Sequence, residues 1–342
     1  MISSSRLRPA LVAAVASLAV LLAGCAGSGT PSSDPAAGSG PTPGGGSGAF
    51  PVSVTHSLGT TEIPAEPQRV VSLGYTDQDA ILALGVVPVA IREFTGNQPS
   101  ATWPWAQSQL QGQSPEVLTG EISPEQLAAL EPDLIVAVSA GLDQAQYDLY
   151  SGIAPVVTQP EGSVAFQTTW QDTTAIIGEA LGRSEQADDL VTELEARFEE
   201  VRAEYPQLAG ANGAVAALSS NGGAAYFVYT GADYRASFLT ELGMTQPPVF
   251  AERAAGSFYA EISTEELGLL DENDVVAWLG IPGTPNSGIE QQAGYPALRV
   301  GQEGRVVNLT EEQGVAMSFS SVLSLPGLLD TVPEQLAAAV GG

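Results

Sequence analysis

The chain contains no lysine, so all eleven of its basic residues are arginine. This absence excludes enzymes whose chemistry depends on a lysine, such as P-loop nucleotide hydrolases, protein kinases and Schiff-base enzymes. Cysteine and histidine occur once each, as Cys25 and His56. A single cysteine has no partner for an intrachain disulfide. A single histidine is too few for the zinc and manganese sites that combine several histidine and carboxylate ligands.

Positive charge as a whole is scarce. The chain has 39 acidic residues and a formal net charge of −28. A surface of this sign repels nucleic acid and anionic lipid headgroups, favours solubility and complements a basic partner. We therefore expect no nucleic-acid binding.

The apolar run near the start of the chain is too short to span a bilayer comfortably. It covers residues 10–23 and follows Arg6 and Arg8. This pattern is typical of a signal peptide, which we place at residues 1–24. The run ends in L-A-G-C, which resembles a bacterial lipobox, so Cys25 is predicted to carry a lipid and to begin the mature chain. The alternative is that Cys25 is a small residue closing an ordinary signal peptide.

Residues 25–49 are predicted to be the lipidated cysteine and a flexible tether. Apart from Asp34, residues 26–49 are only glycine, serine, proline, threonine and alanine, which cannot bury a core. Random-coil scaling gives such a tether a reach of roughly 25–30 Å. The folded part can therefore stand away from a membrane while it remains anchored.

The rest of the chain is predicted to form two α/β lobes, at residues 50–166 and 207–342, joined by connecting helices at residues 167–206. It begins with a short edge hairpin that contains His56, for which we expect a structural role. Short strands then alternate with helices, which favours a parallel sheet covered on both faces. Residues 184–205 have apolar positions with a 3.6-residue period, which predicts one long helix, capped by Ser184, that acts as a rigid strut between the lobes.

One segment occurs twice. The pattern E-I-S-x-E-x-L-x-x-L appears at residues 121–130 and again at residues 261–270. Each copy contains a capping box that begins a helix, which places Glu125 and Glu265 at the second helical position. Each glutamate could simply complement the helix dipole, an effect of about 0.3–1 kcal/mol. Because both copies keep the glutamate, we favour docking onto a two-sided partner, with Glu121 and Glu261 as reserve candidates.

Together these features resemble the substrate-binding lipoproteins of ABC importers for ferric siderophores and cobalamin. The resemblance rests on the lipobox, the tether, the repeated segment and the central helix, and it covers nearly all of the chain after Cys25. Three further stretches resemble actinobacterial members: T-E-I-P-A-E-P-Q-R-V-V at residues 61–71, W-P-W-A at residues 103–106 and S-V-L-S-L-P-G-L-L-D at residues 321–330. The W-P-W-A stretch favours the siderophore branch.

The resemblance implies a class III periplasmic-binding-protein fold, with two Rossmann-like lobes joined by a long rigid helix. It also implies a monomeric carrier without a cofactor or a catalytic site, whose ligand is a ferric siderophore. Glu125 and Glu265 would bind arginine pockets on an ABC permease dimer that works with ATPase subunits. The expected location is the outer face of the cytoplasmic membrane, in a high-GC Gram-positive bacterium.

The ligand is expected between the lobes, outside the carboxyl ends of the strands. A ferric chelate brings its own metal ligands, so the protein needs aromatic walls and a few cationic donors rather than a metal site. Strand ends and nearby loops nominate Tyr75, Arg92, Trp103, Trp105, Tyr229, Arg235, Phe258, Tyr259 and Trp278, with Glu93, Tyr234, Phe319 and residues 139–141 beside them. Each aromatic residue could instead be packing, and either arginine could only pair with a nearby acid.

Other functions remain open from the sequence. Haem or cobalamin could replace the siderophore, with Tyr75 or Tyr229 as a haem ligand. An anchored hydrolase would need His56 for a Ser-His-Asp triad, but the sequence has no G-x-S-x-G turn. A carboxylate-pair glycosidase is compatible with so many acids. An adhesive surface protein would need no preformed cleft.

Overall fold

The computed structural model describes residues 50–219 and 225–341, which all lie in one unit that runs from Gly46 to the end of the chain. The predicted signal peptide, Cys25 and the predicted tether lie outside the described residues. Within the described ranges, no helix is long and apolar enough to cross a membrane.

The first element is the predicted edge hairpin, formed by β1 (Val52–His56) and β2 (Gly59–Ile63). His56 is 2% exposed, and its Nε2 lies 2.9 Å from the Thr61 hydroxyl. Its Nδ1 lies 3.0 Å from the Thr158 hydroxyl. Burial lowers the pKa of His56, which therefore stays neutral at pH 7. The structural role predicted for this histidine is confirmed.

The first lobe is built on a five-stranded sheet in the order β5-β4-β3-β6-β7. All its pairs are parallel, as predicted. The strands are β3 (Val70–Ser72), β4 (Ala90–Arg92), β5 (Glu116–Leu118), β6 (Leu134–Val136) and β7 (Val156–Val157). The helices are α1 (Asp77–Ala83), α2 (Pro104–Gln107), α3 (Pro124–Ala129) and α4 (Gln144–Ser151), with 3₁₀ turns at Pro99–Ala101 and Ser108–Leu110.

Two connecting helices follow, α5 (Trp170–Ala180) and α6 (Ser184–Glu204). Ala187 and Leu190 of α6 pack into the core of the first lobe. Leu194 and Phe198 of the same helix pack into the core of the second lobe. The predicted strut is therefore seated in both lobes. Ser184 is its first helical residue, and the N-cap position belongs to Arg183, so the predicted serine cap is wrong.

The second lobe repeats the strand order of the first, as β10-β9-β8-β11-β12. Its strands are β8 (Gly213–Leu218), β9 (Ala225–Tyr229), β10 (Tyr259–Ser263), β11 (Val275–Trp278) and β12 (Val306–Asn308). Its helices are α7 (Tyr234–Glu241), α8 (Pro248–Ala254), α9 (Arg299–Gln302), α10 (Glu311–Phe319), α11 (Leu325–Leu329) and α12 (Val332–Val340). Turns of 3₁₀ helix lie at Pro206–Leu208, Thr264–Glu272, Ile289–Gln291 and Tyr295–Ala297.

One strand of the second lobe departs from the predicted parallel arrangement. β9 is antiparallel to both β8 and β10. The chain between β8 and β9 is short, and a parallel crossover needs about a dozen residues or more. Tyr259 and Phe319, which we expected in loops, lie at the start of β10 and at the end of α10.

The close packing of the two connecting helices gives a test of the strut. A Cβ added at Gly178 of α5 would collide with the Cβ of Ala187 of α6. Gly178→Ala is therefore expected to lower the free energy of unfolding by about 1–3 kcal/mol, measured by urea denaturation. A matched control is Gly327→Ala in α11, where an added Cβ meets nothing within 4 Å. Equal stability of the two variants would contradict the packing described for α5 and α6.

Candidate functional site

The larger cavity of the first lobe lies outside the carboxyl ends of its strands. It has a volume of about 470 Å³, which suits a small-molecule ligand. Leu73 follows β3, Arg92 ends β4, and Ala140 follows β6. The sheet order changes direction between β3 and β6, and such switch points are where open α/β sheets bind ligands. The structure therefore brings Arg92 together with Ala140 and Gly141, three of the residues nominated from the sequence.

A smaller cavity, of about 30 Å³, lies where the two lobes meet. Thr76 and Ser139 line it from the first lobe, and Tyr234 and Ser320 line it from the second. The lobes therefore enclose a small cavity where they meet, and we call the region of the two cavities the cleft.

An aromatic row crosses from one lobe to the other. Its ring centroids are separated by 6.3 Å between Phe166 and Tyr75, 5.6 Å between Tyr75 and Phe94, and 5.6 Å between Phe94 and Phe319. Beyond Phe319 the row continues to the stacked pair of Trp105 and Trp103, at 5.3 Å and 5.5 Å. The W-P-W-A stretch thus packs on the second lobe through Phe319.

Arg92 differs from the other arginines of the described part. Seven of those arginines form ion pairs with carboxylates. Arg69 donates to the backbone carbonyls of Leu130 and Glu131. Arg92 donates instead to the Tyr75 hydroxyl at 2.8 Å, and its guanidinium carbon lies 4.1 Å from the Tyr75 ring centroid. Its charge is therefore not cancelled by an ion pair within the described ranges.

Arg235 of the second lobe is held differently. Its Nη1 lies 2.7 Å from a carboxylate oxygen of Asp233, whose side chain is fully buried. Its guanidinium carbon is 4.6 Å from the ring centroids of both Tyr229 and Tyr234. Burial raises the pKa of Tyr229 while Arg235 acts in the opposite direction, so the phenol stays protonated at pH 7. The charge of Arg235 is therefore matched by a nearby acid, which is the alternative weighed from the sequence.

A cluster of aromatic side chains lies along β9 and β10 of the second lobe. Tyr259 pairs directly with Tyr229 across the two strands. Phe227 and Phe258 lie beside Tyr259, with ring centroids at 4.5 Å and 4.9 Å. The structure therefore gathers Tyr229, Phe258 and Tyr259, which the sequence nominated separately.

A buried carboxylate joins the two lobes beneath the cleft. Asp79 of α1 accepts hydrogen bonds from the Ser321 hydroxyl at 2.5 Å and from Trp105 Nε1 at 2.9 Å. Asp77 accepts bonds from the backbone and hydroxyl of Ser139, and so fixes the segment that lines the larger cavity. Burial raises the pKa of both aspartates to about 6, against the opposing effect of these hydrogen bonds.

The repeated segments lie at equivalent places in the two lobes. The segment at residues 121–130 follows the edge strand β5. The segment at residues 261–270 begins within the last residues of the edge strand β10. Ser123 accepts a hydrogen bond from the Gln126 amide, and Ser263 forms a full capping box with Glu266. Glu125 and Glu265 both occupy the second helical position and are exposed. The helix in the second lobe is 3₁₀ rather than α.

Comparison with known proteins decides the family. Residues 70–313 match the family described as periplasmic binding protein. The chain belongs to this family. A periplasmic solute binding protein from Mycobacterium smegmatis has a similar structure, with 36% sequence identity and a TM-score of 0.75, over 85% of this chain and 99% of that one. As a periplasmic binding protein, the chain is a substrate-binding transport protein and not an enzyme, which sets aside the hydrolase and glycosidase alternatives.

Two curated relatives are more distant. The "Probable siderophore-binding lipoprotein YfiY" of Bacillus subtilis is 27% identical over 154 residues, which is 44% of each chain. The "Fe(3+) dicitrate-binding periplasmic protein FecB" of Escherichia coli is 28% identical over 224 residues, which is 64% of this chain and 69% of FecB. The match to YfiY thus spans less than half of that relative's length.

One nominated residue of this periplasmic binding protein does not lie at the cleft. Trp278 is completely buried in β11. It packs against Tyr226 and Tyr295, at 6.0 Å and 6.2 Å, in the core on the opposite face of the sheet from Tyr229. The prediction that Trp278 contacts the ligand is corrected, because all four residues of β11 are buried and the Trp278 ring lies within the core of the lobe.

Three residues of the aromatic row and of the aromatic cluster on β9 and β10 were not nominated from the sequence. Phe227 lies two residues before Tyr229 on β9, so the period of a strand could have found it. Phe94 lies two residues after Arg92, at the same strand end. Phe166 lies outside regular secondary structure and packs against Gly141, and no sequence pattern pointed to it.

The buried carboxylate between the lobes predicts a pH effect. Because the pKa of Asp79 is about 6 in the folded protein and 3.8 when unperturbed, the folded state binds the extra proton between these values. The contribution of Asp79 to stability is therefore fully present below pH 4 and lost as the pH rises through 6. We expect the free energy of unfolding of Asp79→Asn, relative to the unchanged protein, to rise by up to about 3 kcal/mol between pH 4 and 7.

Urea denaturation at several pH values would measure this difference. Asp77 and His56 titrate in both proteins, so their contributions cancel in the comparison. A difference in stability that does not change with pH would contradict the raised pKa of Asp79.

Proposed function

We propose that this periplasmic binding protein captures a ferric siderophore and delivers it to the permease of an ABC importer. The observation that carries the proposal is Arg92, a cation without a carboxylate partner in the described part of a strongly acidic protein, at the wall of the 470 Å³ cavity. Guanidinium groups bind the anionic oxygens of a chelate through charge-assisted hydrogen bonds.

The surroundings of Arg92 suit a ligand that carries its own iron ligands. The aromatic row and the tyrosines around Arg235 offer apolar walls on both lobes. Within the described ranges, no group of three or more histidine, cysteine, aspartate or glutamate side chains could hold a bare metal ion. YfiY, which this chain resembles, is named for siderophore binding, and FecB is named for an iron chelate.

Glu125 and Glu265 are the proposed contacts with the permease. Both are exposed, both begin a helix at the same place in their lobes, and neither forms an ion pair within the described residues. Two matched carboxylates on one protein suit a dimeric partner with two arginine sites. The ATPase subunits of the importer would then act on the far side of the permease.

The proposed location is the outer face of the cytoplasmic membrane, with the lipid on Cys25 as the anchor. The support is the L-A-G-C ending of the signal peptide and the composition of residues 26–49. We propose a monomer, since one carrier presents both docking glutamates.

A tryptophan-fluorescence titration tests the proposed cargo. The soluble chain from residue 26 onward is titrated with ferric hydroxamates, ferric catecholates, iron-free chelators, haem and cobalamin. Trp103 and Trp105 lie in the aromatic row, so a ligand in the cleft should change their emission. We expect saturable, submicromolar quenching by a ferric chelate and not by its iron-free form. Quenching by haem or cobalamin alone would change the cargo, and no response to any compound would refute the proposal.

A further inference from the structure

The charges that line the larger cavity cancel. Among the described residues that line it, Arg92 is the one basic side chain and Glu121 the one acidic side chain. Glu93, next to Arg92 in the chain, adds no positive charge, and its carboxylate accepts a hydrogen bond from the Asn97 amide at 2.9 Å. The first lobe therefore offers the ligand one cation and no excess positive charge.

The charge of the nominated arginine in the second lobe is also balanced. The charge of Arg235 is matched by the buried carboxylate of Asp233 at 2.7 Å. The described residues that line the smaller cavity include no acidic or basic side chain. Residues 220–224, which lie outside the described part, carry no ionisable side chain in the sequence.

The overall charge of a ferric chelate depends on its chemical class. Three hydroxamates, each with one negative charge, balance the iron and give a neutral complex. Three catecholates, each with two, leave three negative charges on the complex. Moving uncompensated charge into a partly dry cleft is costly, and the net charge of −28 also repels an anion at long range.

We propose, on the basis of the function proposed above, that this cleft selects electrically neutral ferric chelates of the tris-hydroxamate type over anionic tris-catecholates. Arg92 then serves as a hydrogen-bond donor to chelate oxygens that carry partial charge, rather than as one of several cations that neutralise a net charge. The aromatic walls supply most of the contact area.

The test compares two probes on the soluble chain from residue 26 onward. Ferrichrome is a neutral tris-hydroxamate, and ferric enterobactin is an anionic tris-catecholate. We expect ferrichrome to bind at least about 10-fold more tightly, with an affinity that hardly changes between low and high salt. Equal or tighter binding of ferric enterobactin would overturn the selectivity and leave the siderophore function intact. If neither probe binds, and no other ferric chelate binds either, the proposed function itself is overturned.

A variant tests the electrostatic cause. Asp233→Asn keeps a side chain that can cap α7 but leaves Arg235 without its ion-pair partner. We expect it to tighten ferric enterobactin binding by about 10-fold and to leave ferrichrome binding within about two-fold. The matched control is Asp330→Asn, which frees Arg197 on the surface and should change neither affinity. An unchanged preference in a folded Asp233→Asn, checked by circular dichroism, would refute the charge argument.

Discussion

Reversing two charges, by Glu125→Arg together with Glu265→Arg, is expected to abolish uptake of the ferric chelate into cells while ligand affinity stays unchanged. Both glutamates are exposed at the second position of their helices. In the proposed complex each meets arginines on the permease, so reversal replaces attraction by repulsion at both contacts. Uptake is measured with a radiolabelled ferric chelate, and affinity is measured by fluorescence on the purified variant.

The chain offers a control that separates docking from helix-dipole effects. Glu185 of α6 and Glu312 of α10 also occupy the second helical position and are exposed. The double variant Glu185→Arg with Glu312→Arg loses the same dipole interactions, about 0.3–1 kcal/mol each, but no proposed contact. It should transport normally. If the two double variants behave alike, the glutamates serve only their helices.

Arg92→Ala is expected to weaken binding of the ferric chelate by about 10- to 100-fold, because a hydrogen bond from a charged donor contributes about 1.5–3 kcal/mol. The affinity of Arg92→Lys should lie between those of the unchanged protein and Arg92→Ala, since lysine keeps the charge and loses the planar fork of donors. Arg197→Ala is the control, because its ion pair with Asp330 lies on the surface. Affinity of Arg92→Ala equal to that of the unchanged protein would remove the observation on which the proposed cargo rests.

Within the described residues, the Arg92 guanidinium donates its hydrogen bond to the Tyr75 hydroxyl. Tyr75→Phe would keep the ring of the aromatic row and remove the hydroxyl that orients Arg92. A loss of affinity in this variant that disappears in the Arg92→Ala background would show that the two residues act as one unit.

The lobe architecture could be read from the sequence because two periods were clear: the repeat at residues 121–130 and 261–270, and the helical period of α6. The direction of β9 could not be read in this way. Its alternating side chains are the same in a parallel and in an antiparallel strand, and only the short connection from β8 separates the two cases.

The sequence predicted the types of residue at the cleft better than it predicted the individual positions. The strand-end rule found Arg92, which lines the larger cavity, and Tyr229, which packs against Arg235. The same rule misplaced Trp278, since a strand buried on both faces has no alternation to show which side chains face the ligand. The sequence also could not tell Arg92 from Arg235, because with 39 acids the partner of each arginine is fixed only by the fold.

Because α6 packs into the cores of both lobes, it affects how a permease can recognise the carrier. Its Leu190 and Leu194 are one helical turn apart, yet they belong to the cores of different lobes. A hinge at this point would have to break one of those cores, so the lobes should rock only slightly. The distance between Glu125 and Glu265 is then almost the same in the empty and the ligand-bound carrier. A permease that contacts only these two glutamates could not distinguish the empty from the ligand-bound carrier. It would have to contact the ligand itself.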